Sequence, residues 1–507
     1  MSDTLATLQT ALAPKTGMKR IPFPLESYEH PSLPLVAKRL VNLFAEKAPD
    51  DARTAAFLAS TPGLVAWTTA LGGSGPIGTG PILAMNDDMP GRVYLVSGNQ
   101  AFRLYFPLAG GVTVDYLGIV GTADSGTGSQ NSFVTIAAGP TAVVFCVAPN
   151  AYTCGHNPGT ILNQIGGPVF TGATSVCYVD GYFAFSATGN SSQWFISRLL
   201  DPTAFDALDF VFSDAMPNVI RRVIAHREQV WTIGEAGMEV WYNAGSSGLE
   251  TTPGFSFFPF RRASGGVVPV GTGSPMSVCR ADQSVWWLGV DGIVYRSNGY
   301  KPLRVSTHAI EIILGNGLNG LYALTHPYRG HWFYALTTVD HRTLVYDVAT
   351  GNWHERATST DGTGPWQASV CAVDDNSIKL FGDRTSNVLY TLGVQATDAG
   401  VTVLRQATLP PLWANTNRAF CARVEIEMEL GAPNSPPSIL LEWSDDGSRT
   451  WSASRTMTPS VAGGPHELRQ RVYTTRLGSF RQRTFRISTH ALTRLYALDA
   501  DITAGAS

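Results

Sequence analysis

Apolar residues along the chain come in short β-rich runs broken by tight turns. One unit recurs: a run, a turn, then a second run rich in Val, Trp, Tyr and Phe. The turns fall near Gly91, Gly139, Gly181, Glu228, Gln283, Gly330 and Asn376. The runs that follow them are 93–96, 142–145, 182–185, 230–233, 285–288, 332–335 and 378–381. The turns are spaced 48, 42, 47, 55, 47 and 46 residues apart, the period of a four-stranded propeller blade. Several hairpins lead into a further strand, as at 239–242, 293–296, 344–347 and 388–391. The segment 344–353 reads as a kelch-type outer hairpin, with Thr350-Gly351-Asn352 in the turn and Trp353 packing back on the blade.

One blade cannot bury both faces of its sheet, whereas a closed ring of blades can, and it leaves only short edges. The pattern therefore predicts an all-β chain with a seven-bladed β-propeller over 77–395. Residues 1–76 read as an irregular N-terminal arm, with a short helix over 35–46 and a strand and turn at 55–63 that could close the ring. From 396 the pattern changes to longer alternating strands. Residues 423–430 alternate strictly, with one apolar and one acidic face, and further strands are expected at 438–443, 467–473, 484–488 and 495–502. That pattern predicts a C-terminal β-sandwich over 396–507.

Composition narrows the function. Of 507 residues, 44% are apolar and 15% charged, against about 25% charged in an ordinary globular chain. Disorder is excluded, and the net charge of −3 excludes a strongly basic nucleic-acid module. No run approaches the roughly 20 apolar residues of a membrane span, and the first 16 residues do not read as a secretory signal. Cys146, Cys154, Cys177, Cys279, Cys371 and Cys421 match no zinc spacing and read as buried free thiols of a protein assembled in a reducing cytoplasm.

The motifs that could carry chemistry are weak. Gly73-Ser-Gly75-Pro-Ile-Gly78 matches GxGxxG, but Pro76 and Pro81 interrupt it and no helix follows, so it reads as a connector. His326, His331, His341 and His354 fall in one repeat at spacings that put them on different strands and turns. Asp201, Asp206 and Asp209 lie in an apolar-anchored loop rather than an acid–base pair. Ser444-Asp-Asp446-Gly447-Ser-Arg-Thr450-Trp451 fits the Asp-box pattern, a hairpin device rather than catalytic equipment. No catalytic, metal or cofactor residues are assigned.

Arginine dominates the basic residues: only six of 36 are lysine. Arg469, Arg471, Arg476, Arg481, Arg483, Arg486 and Arg494 crowd the last domain. They read as a subunit interface, or as ion pairs with the acidic face of 423–430, ahead of a phosphate-facing stripe. The candidate assembly interface comprises Arg469, Arg471, Arg481, Arg483 and Arg486, together with Phe255, Phe257, Phe258, Phe260, Arg261 and Arg262 of an aromatic-rich loop.

The middle of the chain resembles the tail hub proteins (packaged-DNA stabilisation, or head-closure) of short-tailed phages. The likeness rests on ordered blocks at 180–183, 194–197, 201–210, Pro217-Asn218, Gly234-Glu235, 239–245, 258–261, 285–289, 294–295, 299–302 and 304–311. Asn218 departs from an acidic residue frequent in the family, and the N-terminal extension is long. The resemblance implies a non-enzymatic virion tail protein that forms a ring, six-fold in the family, and closes the portal channel after packaging. Its implied partners are copies of itself, the portal adaptor, a tail needle or plug, a tailspike or fibre, and double-stranded DNA read without sequence specificity. Near-neutral charge suits a channel along which DNA slides, so a lumen of polar, small or acidic side chains without a Lys/Arg belt is expected. A glycan-binding or sialidase-like propeller is the alternative, suggested by the Asp box and the many aromatics.

Overall fold

The computed structural model describes residues 17–32, 35–48, 54–67, 76–106, 111–121, 133–189, 191–215, 219–245, 258–315, 317–318, 321–373, 377–414, 417–430, 438–459 and 469–505. The chain divides into two compact units. One comprises Val65–Asp340 and Gln367–Leu392; the other comprises Met1–Leu64, His341–Trp366 and Gly393–Ser507.

The first unit is a propeller. Its first blade is the antiparallel meander Ile82–Asn86, Arg92–Ser97, Gln100–Tyr105 and Thr113–Ile119. Four more blades begin at Val134–Ala138, Ala173–Val179, Ile220–His226 and Cys279–Ala281. The sixth is Ala368–Val373, Lys379–Asp383 and Leu389–Gly393, with Gly63–Ala66 as its outer strand. The Trp67 amide donates to the Leu389 carbonyl at 2.7 Å just beyond that strand. An early strand thus completes the last blade, but it is 63–66 and not the neighbouring Ala56–Ser60.

Seven complete blades are expected from the turn spacing, and the propeller has six. The repeat at Gly330 supplies only the hairpin Tyr322–Tyr328 and His331–Thr337 to this unit. Its next two strands, Thr343–Asp347 and Asn352–Arg356, form the expected kelch-type hairpin, with Trp353 buried against Tyr346 at 5.2 Å. They belong to the second unit, where Asn352–Arg356 lies beside Ala37–Val41.

The turns are legible because of their backbone handedness. Asp180-Gly181, Arg227-Glu228, Asp282-Gln283 and Arg329-Gly330 all have positive φ at both residues. That is the type I′ geometry whose twist matches paired strands. Two of the four pairs contain no glycine, so polar side chains in the left-handed region make the reversal. The turn near Asn376 lies outside the described residues.

Apolar seams between blades form the propeller core. The seam of the third and fourth blades holds Cys177, Ala184, Trp194, Ile196, Val223, Val230, Trp241 and Phe260. Trp231 and Trp287 fill the next seam. Alternation puts one face of each inner sheet into one seam and the other face into the next, which is why these runs are apolar throughout.

The second unit is a β-sandwich. One sheet runs in the order Leu43–Lys47, Ala56–Ser60, Thr493–Ala504, Ala419–Leu430, Arg469–Thr475, with Met18–Ile21 also on Thr493–Ala504. The facing strands run Thr343–Asp347, Asn352–Arg356, Ala37–Val41, Arg405–Thr408, Gln482–Thr489, Ile439–Ser444, Arg455–Met457. Val424, Ile426 and Met428 from one sheet meet Ile439, Leu441, Phe485 and Ile487 from the other in a shared core.

The irregular arm and the helix over 35–46 are corrected by this unit. Residues 37–41 and 43–47 are strands, because Leu40, Leu43 and Ala45 all enter the sandwich core. Asn42 separates them at φ 53. Its buried amide donates to the carbonyls of Ala357 and Leu404 at 2.9 and 2.8 Å and accepts from the Ala357 N–H at 3.1 Å. Sandwich strands therefore come from both ends of the chain. The first 16 residues lie outside the described set.

Candidate assembly surfaces and the central cavity

The first strands of the six blades and of the Tyr322–Tyr328 hairpin converge on one axis. Side chains tie neighbouring strands there. The Asn86 amide reaches the Ile136 carbonyl at 3.2 Å, the Thr135 hydroxyl takes the Val176 N–H at 3.0 Å, and the Ser175 hydroxyl takes the Val223 N–H at 2.9 Å. Arg222 donates to the carbonyls of Pro275 and Val278 at 3.0 and 2.7 Å, and Asp87 accepts the Val373 N–H at 2.6 Å. Each bond satisfies a group on one blade with a group on the next, so the ring closes through its polar inner layer as well as its seams.

These strands enclose a cavity of about 390 Å³. Arg280 of the fifth blade reaches across it to Asp88 of the first at 2.8 Å. Burial pushes the Asp87 carboxyl up and holds the Arg222 guanidinium below its ordinary value. Cys177, Cys279 and Cys371 also line the cavity. Burial pushes the thiols of Cys177 and Cys279 up to about 12 and about 11, and that of Cys371 well above its ordinary value. Thiols held protonated are poor nucleophiles and poor metal ligands. All six cysteines are unbridged, and four of them are buried. Among the described residues, no group of three or more His, Cys, Asp or Glu could hold a metal ion. Among the same residues, no helix is long and apolar enough to cross a membrane.

The candidate interface residues fall into different surroundings. Phe255 and Phe257 lie outside the described residues. Phe258 and Phe260 both pack on Trp194, at 5.1 and 5.6 Å; Phe260 is fully buried and Phe258 half-buried. Their apolar character serves the seam between the third and fourth blades. Arg261 is exposed, and Arg262, also exposed, pairs with buried Glu239 at 3.6 Å.

In the sandwich most of the arginines meet acids of the same unit. Arg471 lies opposite Glu427 in register and is 3.4 Å from Glu425. Arg494 holds Glu429 at 2.7 Å, and Arg486 holds Glu442 at 2.8 Å while stacking over Trp451 at 3.9 Å. Arg483 is buried, bonded twice to Asp445 at 2.7 and 2.6 Å, and lies over the rings of Trp443 and Phe480. The acidic face of 423–430 is thus a ladder of ion pairs. Arg469 lies on the strand opposite Glu429. Arg481 is exposed, and among the described residues it has no ion pair.

Asp446 is the hub of the expected hairpin. It accepts the Ser444 hydroxyl at 2.7 Å and the amides of Arg449 and Thr450 at 3.1 and 3.0 Å. Bonds from Thr450 and Ser444 hold its carboxyl far below the usual carboxylate range. Both oxygens of this carboxylate accept bonds from the turn. Asp446→Ala is expected to speed hydrogen exchange at the amides of Arg449 and Thr450 while leaving the propeller amides unchanged; equal protection in both proteins would contradict the role given to the box.

A propeller with a polar inner layer and a β-sandwich laced by arginine–carboxylate pairs define a two-part all-β protein. A family model described as the β-propeller of bacteriophage P22 Gp10 matches residues 27–397, and one described as its β-sandwich matches residues 405–503. The chain belongs to this family of phage proteins that stabilise packaged DNA, and it is a structural component of the virion tail. No curated protein matches. Similar solved structures include virginiamycin B lyase from Staphylococcus aureus, at 10% identity and TM-score 0.40, covering 62% of this chain and 94% of that one. The computationally designed protein Ika8 is 12% identical at TM-score 0.37, covering 62% of this chain and 96% of its own.

Proposed function

We propose that the chain is the tail hub, or nozzle, of a short-tailed phage. In this reading copies form a ring, six-fold in the family, below the portal and its adaptor. The ring closes the channel after packaging, docks the needle or plug and the spikes or fibres, and passes the genome through its lumen at ejection. It has no catalytic role.

The observation that carries the reading is the match of the chain to the propeller and sandwich models of the packaged-DNA stabilisation family, over residues 27–397 and 405–503. The Arg280–Asp88 pair spans the propeller's own central cavity, and in this reading the channel for DNA is built between copies. Closed ring symmetry supplies such a channel from one heterologous contact.

The glycan reading has less support. Its main motif is a single hairpin in the sandwich, where Asp446 is fully engaged with the turn.

The test is a particle made without this protein. Heads packaged in its absence are expected to lose their DNA, and adding purified protein before release should retain it. Particles that keep their genome equally well without it would overturn the reading.

A further inference from the structure

Several arginines drawn into this fold grip a carboxylate. Arg39 donates to Glu355 from Nε and Nη2, both at 3.0 Å, and Arg483 donates to Asp445 from the same two nitrogens at 2.7 and 2.6 Å. Nε and Nη2 form the edge of the guanidinium that matches the two oxygens of a carboxylate.

Arg222, on the first strand of the fourth blade, lines the central cavity and is only partly exposed. Its Nη1 donates to the carbonyls of Pro275 and Val278 at 3.0 and 2.7 Å. Its Nε is buried without a hydrogen-bond partner, and no bond among the described residues uses Nη2. The groups that act on its charge are Cys279, Arg280 and Cys177, and none is a carboxylate. The two acids of the cavity are engaged elsewhere, Asp87 by the Val373 N–H and Asp88 by Arg280. A cation drawn out of water without a counter-charge costs stability, and unpaired charges in clefts mark binding sites.

The wall around Arg222 is largely apolar. Met85, Ile136, Met276, Val370 and Trp332 line the cavity and are only partly buried, and the Phe133 ring lies 5.3 Å from the guanidinium. Polar groups of the wall are already in use. Thr135 accepts the Val176 N–H, and Arg280 serves Asp88 and the Ala225 carbonyl. Little is left for the hydroxyls of a sugar acid or the further oxygens of a phosphate. The volume of about 390 Å³ falls in the range of small-molecule pockets, about 300–1,000 Å³.

We propose that the central cavity of the propeller binds a small monocarboxylate with a short hydrocarbon body. Its carboxylate takes the Nε–Nη2 edge of Arg222, and its body lies against the apolar wall. The site does not depend on the ring reading. Its walls come from the first, second, fourth and sixth blades, at Met85, Ile136, Arg222 and Val370, so an occupant stabilises the closed propeller by mass action.

The probe is hexanoate, with hexanol, gluconate and inorganic phosphate as comparators, each added to the full chain at constant pH and ionic strength. Hexanoate is expected to raise the thermal midpoint saturably, and the comparators are not. In calorimetric titrations Arg222→Lys, which keeps the charge and loses the fork, should bind hexanoate at least about tenfold more weakly. If that variant fails to fold, the wild-type thiols decide. Cys279 and Cys371 line the cavity and are partly exposed, and their slow labelling by N-ethylmaleimide should become slower still with hexanoate. Equal labelling with and without hexanoate would overturn the site, as would unchanged affinity in folded Arg222→Lys. An equal response to hexanol would make the cavity a merely apolar hole. Gluconate or phosphate binding more tightly than hexanoate would overturn the hydrocarbon body. No binding of any probe would overturn the proposal and leave the ring reading untouched.

Discussion

Trp194→Ala is expected to lower the stability of the propeller by about 3–5 kcal/mol, the range for truncating a large buried aromatic. Trp194 is fully buried. Its ring meets Trp241 at 5.6 Å, Phe258 at 5.1 Å and Phe260 at 5.6 Å, all edge-on. Edge-to-face aromatic pairs add about 0.5–1.5 kcal/mol beyond the area they bury. The seam cannot collapse easily, because its walls are the sheets of two different blades. A whole domain is stable by only about 5–15 kcal/mol, so the loss is a large share of the total. Urea denaturation followed by far-ultraviolet circular dichroism checks it. A midpoint close to wild type would mean that the seam relaxes around the hole. Phe260→Ser belongs to the same test and is expected to fail in folding before it fails in assembly.

Glu355→Gln is expected to be of similar size in the sandwich unit, about 3–5 kcal/mol, because it leaves largely buried charges without their partner. Glu355 is buried and takes two bonds from Arg39, both at 3.0 Å, and one from Arg342 at 2.9 Å. Arg342 continues to Glu29 at 3.2 Å. Burial alone would push the Glu355 carboxyl up, but the two guanidinium groups outweigh it and hold it below the usual range. The folded form therefore favours the carboxylate, and the unfolded chain takes up a proton at a higher pH. The stabilisation is complete above the unfolded pKa, near 4.3 for a free glutamate, and is lost as pH falls through the folded value. Wild-type stability measured from pH 6 downward should decline in that window, and the Gln variant should decline less steeply. Equal slopes would remove Glu355 from the account of acid sensitivity.

The all-β class was legible because the blade runs are apolar and their turns recur at a steady interval. Asp180-Gly181 and Arg329-Gly330 mark two of those turns by glycine. Arg227-Glu228 and Asp282-Gln283 make the same reversal with no such marker, and only the flanking strands reveal them. The blade count was less legible. Local pattern shows the hairpin at Gly330 and the strands after it, but not which unit those strands join; Val41 beside Glu355 is a pairing across more than 300 residues. The helix read over 35–46 failed for a related reason. Leu40, Leu43 and Phe44 fit a helical face at i, i+3 and i+4, but Asn42, at positive φ, separates two strands instead.

The surfaces were harder still. Phe258 and Phe260 are apolar in a loop whether they face a neighbour or a seam, and only packing separates the two. Arg483 and Arg481 sit two residues apart in an identical-looking run. One is buried on Asp445 and the other is exposed. Alternation places positions two apart on the same face, so it does not separate them; the partner that buries Arg483, Asp445, lies in the hairpin after another strand.

The most direct measurement is a cryo-EM reconstruction of the tail still attached to its head. The expected result is a closed ring of copies of this chain beneath the portal. Its central channel should be wide enough for a DNA duplex to pass along the axis. The propeller cavities should stand off the axis, each still crossed by its Arg280–Asp88 pair. A tail with one copy, or with DNA threaded through a propeller, would contradict the account.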